Sequence, residues 1–196
     1  MTIDRSNPRS PEVEIDSMFI DRWSPRAFEP TPLTDDQVES LFEAARWTPS
    51  CYNAQPWMFV YAVTAEDRSR FLSALVEGNQ AWCRRVPLLM FLLCRRNFTH
   101  SGKENRHAPF DAGAAWMALA LQARRLGLHA HAMAGFSREA AYEILDVPDD
   151  QFDIMAAIAV GRRAEPGVLP EAVAAKEQPN SRKPRQDMVR EGSFSS

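Results

Sequence analysis

Nine consecutive apolar residues, Val86-Pro87-Leu88-Leu89-Met90-Phe91-Leu92-Leu93-Cys94, stand between Arg84-Arg85 and Arg95-Arg96. A membrane-spanning helix needs roughly 20 such residues, so this run is too short to cross a bilayer. It is also too continuous for a strand with one wet face. It predicts a strand buried on both sides. The whole chain has 196 residues, of which 45% are hydrophobic, which suits one domain with a real core.

Charge and cysteine usage exclude several classes. The 23 basic and 26 acidic residues give a net charge of −3, without the basic surplus of a general nucleic-acid binder. Cys51, Cys83 and Cys94 are an odd number with no Cys-x-x-Cys spacing, so neither a zinc ribbon nor a disulfide framework is implied. A reducing, cytoplasmic setting is expected. The N-terminal MTIDRSNPRSPEVEID has acids and prolines where a signal peptide would need an apolar stretch.

Helix and strand signals alternate along the chain, with no internal repeat. Ser10-Pro11 reads as a helix start, with Ile15, Met18, Phe19 and Arg22 at helical spacing. Thr34 and Gln37 form a capping-box pattern ahead of Val38, Leu41, Phe42 and Ala45, in a helix ending near Thr48 before Pro49. Trp57 to Val63 reads as a strand. Thr64 caps a third helix carrying Phe71, Leu72, Leu75 and Val76. A long helix is expected from about Ala108 to Leu126, closed by Gly127. A short strand from His129 to Ala134, a helix capped by Ser137 and running through Leu145, and a core strand from Ile154 to Val160 follow. From Arg162 onward the prolines at 166, 170, 179 and 184 and the cluster Arg182-Lys183-Pro184-Arg185 leave a tail with no core of its own. The pattern is a layered α/β or α+β domain. No G-x-G-x-x-G or P-loop can be written from the glycines, which leaves Rossmann and Walker sites unsupported.

Four segments could carry chemistry, each with a plainer reading beside it. Arg22-Trp23-Ser24-Pro25-Arg26 offers guanidinium forks and a hydroxyl suited to phosphate, or is a helix end with favourable cations. Pro49-Ser50-Cys51-Tyr52-Asn53-Ala54-Gln55-Pro56-Trp57 is a stiff polar loop beside aromatic bulk, suited to a flat heterocycle, or is a structured turn. Ala134-Gly135-Phe136 permits close backbone approach to a ligand, or is an ordinary strand-to-helix turn. Arg182-Lys183-Pro184-Arg185 is the last, or a solvated patch. His129 and His131 share a strand face but lack a third metal ligand at recognisable spacing. No G-x-S-x-G elbow exists. Cys51 reads as a loop thiol, and Glu104, Asp111 and Asp149-Asp150 read as surface or capping acids.

The order of these pieces is more specific than any of them singly. Arg-x-Ser-x-Arg-x-Phe at 22–28, Ser-x-x-Asn-x-Gln-Pro-Trp at 50–57, Gly-Phe at 135–136 and the basic tail at 182–185 resemble the FMN-dependent nitroreductase family. Gly78-Asn79-Gln80-Ala81-Trp82 ahead of the apolar run is similar to that family too. So is the long helix introduced by His107 and Asp111 and closed by Arg125-Leu126-Gly127-Leu128. The resemblance runs from about Ile15 to Val189.

The resemblance implies an α+β fold, a mainly antiparallel central sheet flanked by helices, in an intertwined homodimer whose C-terminal arm lies on the partner. It implies a flexible leader at 1–10, the domain at 11–162 and the arm at 163–196. It places FMN contacts at Arg22, Trp23, Ser24, Arg26, Pro49, Ser50, Cys51, Tyr52, Asn53, Gln55, Asn79, Ala134, Gly135, Arg182 and Lys183. Arg22 and Ser24 fall on the phosphate and ribityl chain, with Arg182 gripping the phosphate and Lys183 assisting. Arg26, where many members carry lysine, falls near the flavin N1 and O2, where a cation stabilises charge accumulating on reduction. Asn79 falls on the pyrimidine edge, and the main chain of Ala134-Gly135 near N5. The loop at 50–55 reaches the flavin from the neighbouring subunit. No protein acid, base or metal is implied.

The activity implied is ping-pong hydride transfer from NADH or NADPH through flavin N5 to an electron-poor acceptor, a nitroaromatic or quinone. Two alternatives stand beside it. One is a specialised flavin enzyme of the same fold, a dehalogenase or enal reductase, against which the short segment at 96–106 argues. The other is a flavin-binding module without turnover.

Overall fold

The apolar run forms β2 (Leu88–Arg95), with every side chain from Leu88 to Cys94 buried. The structure, a computed structural model, describes residues 7–194. Strand β2 and β4 (Phe152–Gly161) are the inner strands of a four-stranded antiparallel sheet, flanked by β1 (Trp57–Ala62) and β3 (His129–Met133) in the order β1-β2-β4-β3. Helices cover both faces, which is why β2 has no polar alternation.

Side chains sort by parity. Leu88, Met90, Leu92 and Cys94 face α2 (Asp35–Arg46) and α5 (Ala108–Arg125), packing with Leu41, Ala115 and Leu119. Leu89, Phe91 and Leu93 face α3 (Ala65–Ser73), α4 (Glu77–Cys83) and α6 (Arg138–Leu145), packing with Phe71, Trp82 and Ala141. Strand β4 keeps this arrangement only by changing parity. Its register against β2 slips between Leu92 and Leu93, where Met155 is the extra residue. A bulge of one residue flips everything beyond it, so Ile154 joins Ala157 and Ala159 on one face.

Local signals account for most element ends. Thr34 caps α2, the reciprocal Gln37 bond completing the box. Thr64 and Ser137 cap α3 and α6 as expected. Gly127 adopts φ +73°, and Leu128 N–H and Gly127 N–H return to the carbonyls of Ala123 and Arg124 at 2.8 and 3.0 Å. That pair of bonds closes α5.

Two expectations are corrected. The first helix does not start at Ser10-Pro11: α1 is Ser17–Asp21, capped by Asp16, whose carboxylate accepts the Met18 N–H at 2.8 Å. Residues 10–16 are all exposed, so no apolar stripe is buried to support a helix there. Helix α3 ends at Ser73, so Leu75 and Val76 lie beyond it; Leu75 bridges Phe136 and Val76 opens α4.

The tail begins docked on its own domain. Glu29 N–H donates to Arg162 O, and Ala164 N–H to Ala27 O. A single turn, α7 (Glu171–Ala174), follows, and from Asn180 to Phe194 every residue is exposed. Of the expected leader at 1–10, residues 1–6 lie outside the described residues, while Asn7 Nδ2 donates to Ile20 O at 2.9 Å. Among the described residues no helix is long and apolar enough to cross a membrane.

Candidate functional site

Beyond α1 the chain runs with a two-residue alternation of burial. Asp21, Trp23, Pro25 and Ala27 point inward, while Arg22, Ser24 and Arg26 are half-buried on the other side. An extended segment places alternate residues on one face, so the three polar candidates share it. Arg22 Nη1 donates to Ser24 Oγ at 3.3 Å. The inward side is fixed by aromatic packing: Trp23 takes the Arg163 guanidinium over its ring and His129 at its edge. A further anchor comes from the tail. The buried Glu177 carboxylate accepts the N–H groups of Arg26 and Ala27, both at 2.8 Å.

His131, rejected above as a metal ligand, lies against this segment. Its Nδ1 is 2.7 Å from Pro25 O, and since a carbonyl only accepts, Nδ1 carries the proton. The imidazole stacks on Trp82 at 4.9 Å, and Trp82 stacks on Phe28. Burial, with Arg26 and Arg22 nearby, holds His131 down at about 4 despite the Pro25 bond. His131 is therefore neutral at pH 7.

Helix α4 carries Trp82 and, one turn earlier, Asn79. Asn79 Nδ2 donates to Gly135 O at 3.0 Å, and Val76 N–H donates to the same oxygen at 3.1 Å. A Cβ on Gly135 would lie 2.5 Å from Asn79 Nδ2 and 2.9 Å from Val76 Cγ2. Glycine there serves this close approach between the α4 start and the β3–α6 turn. Among the described residues, none donates to the Asn79 carbonyl oxygen. Ala134 beside it is exposed.

The polar loop is built differently. Cys51–Asn53 make one 3-10 turn, and Tyr52, Asn53 and Gln55 all have positive φ, at 51°, 54° and 47°. Such non-glycine conformations cost roughly 1–3 kcal/mol each and persist where the surroundings enforce them. Gln55 N–H donates to Ser50 Oγ at 2.9 Å, and Cys51 N–H to Asp111 Oδ2 at 3.0 Å. Asp111, expected at the surface or as a cap, is buried at 3% exposure in the first turn of α5. It is corrected to an internal acceptor for the loop. Tyr52 is 85% exposed, and Pro49, Asn53 and Gln55 are exposed with it.

The structure thus brings together Arg22, Ser24 and Arg26, and separately Asn79 with Gly135, the two groups linked through His131 and Trp82. The loop at 49–55 precedes edge strand β1, whereas Ala134 and Gly135 follow the opposite edge strand β3. Three strand spacings of about 4.8 Å separate those edges by roughly 14 Å. Arg182 and Lys183 are exposed in the tail, lining a groove of about 570 Å³ with Arg9. Arg182 nevertheless lies near enough to Arg22 to depress its pKa, after burial. Arg9 and Glu177 had no place among the sequence candidates, and His131 entered them only as a rejected metal ligand. Only His131 carried a local signal, its place on a strand face. Burial raises Cys83 above the thiol range and Cys94 to about 12, leaving both as inert core thiols. Among the described residues no group of three His, Cys, Asp or Glu could hold a metal.

Comparison with known proteins extends this picture. A model of the Nitroreductase family matches residues 20–81 and 65–162. A crystal structure of an oxidoreductase containing FMN superposes with a TM-score of 0.92, at 42% identity over 99% of this chain and 98% of that one. A Streptomyces coelicolor protein, provisionally named as an NADH dehydrogenase/NAD(P)H nitroreductase, is 32% identical over 98 residues, 50% of this chain. A nitrobenzene nitroreductase of Ectopseudomonas oleovorans is 38% identical over 80 residues, 41% of this chain. The matched segments span 48% and 34% of those two proteins, about half their length or less.

Proposed function

The chain belongs to the nitroreductase family, and from that premise we propose that it is an FMN-dependent oxidoreductase acting as a homodimer. One observation carries the reading: Arg22, Ser24 and Arg26 share one face of an extended segment, and His131 and Trp82 connect that segment to the Asn79–Gly135 turn. The residues fit the cofactor. Arginines that pair with no carboxylate among the described residues suit a phosphate. The close-packed Gly135 leaves no side chain over the turn, and the Asn79 oxygen offers one acceptor to a heterocycle's N–H edge.

Arg22 and Ser24, with Arg182 and Lys183, would hold the phosphate and ribityl chain. Arg26 would sit by the pyrimidine edge with Asn79, and Trp23 would brace the segment from below. Ala134 and Gly135 would present main chain alone to the ring. When bound, FMN would take hydride at N5 from NADH or NADPH and deliver it to an electron-poor acceptor such as a nitroaromatic or quinone. Arg26 contributes a fixed cation that favours the negative charge of the reduced ring. Neutral His131 adds no second charge there.

Pro49, Ser50, Cys51, Tyr52, Asn53 and Gln55 stand on the far edge of the sheet and would serve the partner's site. The strained, exposed loop supports that reading, because it stands at the sheet edge opposite the Ala134–Gly135 turn. The arm docks on its own domain as far as Glu177, and its exposed stretch from Asn180 to Phe194 would gain burial against a second chain.

The test is a visible spectrum of purified protein during addition of NADH or NADPH. Flavin colour that bleaches with one nicotinamide and returns with a nitroaromatic or quinone is expected. A colourless preparation that binds no added FMN overturns the proposal, and bound flavin reduced by neither nicotinamide makes the chain a binding module instead.

A further inference from the structure

We infer that Arg9, in the N-terminal leader, is a further phosphate-binding residue, completing with Arg22 and Arg182 a three-arginine site for the phosphate of FMN; this rests on the cofactor reading above. The three come from separate parts of the chain. Arg9 Nε and Arg182 Nη1 converge on a single acceptor, the carbonyl oxygen of Asn180, at 2.7 and 3.3 Å. Arg9 Nη1 also donates to Arg22 O at 2.9 Å and Ile20 O at 3.1 Å. Leader, α1 exit and C-terminal arm are therefore pinned around one guanidinium.

Among the described residues, every acceptor these arginines use is neutral. Arg22 reaches the Ser24 hydroxyl, and Arg182 the carbonyls of Asn180 and Ser181. Among the described residues no carboxylate pairs with any of the three. Among the described residues, none accepts from Nη2 of any of the three. Arg9 and Arg22 are half-buried, and burial, followed by the repulsion of the exposed Arg182, lowers the pKa of both. A clamp needing only hydrogen bonds to carbonyls gains nothing from three cations. A phosphate monoester, with close to two negative charges and three acceptor oxygens, answers both the repulsion and the open donors. The location selects the flavin phosphate over an unrelated anion, because Arg22 and Ser24 lead directly along the extended face toward Arg26.

The experiment measures binding of FMN and of riboflavin, which lacks the phosphate, to wild type, Arg9→Met and Arg9→Gln by flavin fluorescence quenching. Glutamine keeps a donor for the carbonyls and loses the charge. The expected result is an FMN dissociation constant raised about tenfold in both variants, with riboflavin affinity unchanged. Unchanged FMN affinity overturns the inference, and so does an equal loss of FMN and riboflavin, which is the mark of a purely structural clamp. Wild type that binds both flavins equally overturns it while leaving the cofactor reading intact. Wild type that binds neither overturns the cofactor reading and this inference with it.

Discussion

At His131 a neutral imidazole is held between a backbone carbonyl and an indole face, beside two arginines. Its pKa is lowered to about 4, chiefly by burial, against an ordinary 6.5. The unfolded chain therefore binds a proton that the folded chain refuses as pH falls through that interval. Stability is full above about pH 6.5 and declines toward pH 4, by about 3 kcal/mol at most for this group. Asparagine can place an amide N–H near the Nδ1 position and does not titrate. His131→Asn should lose less stability than wild type between pH 7 and pH 4.5, measured by urea unfolding at both. A parallel loss in the two proteins contradicts the assignment. Local segments pointed to Arg22, Ser24 and Gly135 as candidates, and the family resemblance added Asn79. Neither revealed Arg9 or Glu177, whose partners lie 171 and 151 positions away along the chain.

Elements were legible wherever a local pattern determined them. The α2 capping box, the Gly127 terminus of α5 and the continuous apolarity of β2 were each readable because their causes lie within a few neighbouring residues. The first helix failed that test, since a Ser-Pro start is only a permission and burial decides. The β4 bulge was likewise unreadable, because an extra residue is defined only against a partner strand. The loop at 50–55 depends on α5 in the same way. Asp111 accepts the Cys51 N–H, and three positive-φ residues follow. Asp111→Ala should destabilise the protein by about 2 kcal/mol, through the lost charge-assisted bond and the orphaned N–H. Asp111→Asn, which keeps an acceptor, should lose less than half of that. Equal losses in urea unfolding would show that the bond does not hold the loop.

For the whole molecule, the exposed apolar surface is unevenly spread. Trp47, Tyr52 and Phe110 are 74%, 85% and 78% exposed, at the end of α2, in the polar loop and in the first turn of α5. Val13, Ile15, Phe19 and Met188 line the groove between leader and arm. Two chains sharing such surfaces would bury them together. Light scattering on the eluting protein should give twice the 22.2 kDa chain mass. A monomer that retains full flavin affinity would contradict the assignment of the 49–55 loop to the partner's site.

Periodicity and caps were sufficient, in the sequence by itself, for a layered α/β or α+β domain with one strand buried on both faces, and residue order, through the family resemblance, chose α+β. That order was sufficient, too, for the family whose model the chain matches. Those properties follow from short-range backbone sterics and from which side chains avoid water, and both are written along a few residues at a time. Tertiary structure alone decided that Glu177 anchors the Arg26 backbone, that Asp111 lies inside, and that Arg9 joins Arg22 and Arg182. Convergence of like charges has no local signature, and Arg9, unlike Arg22 and Arg182, stands in none of the candidate segments. Their proximity exists only once the leader, the α1 exit and the arm are folded around the carbonyl of Asn180.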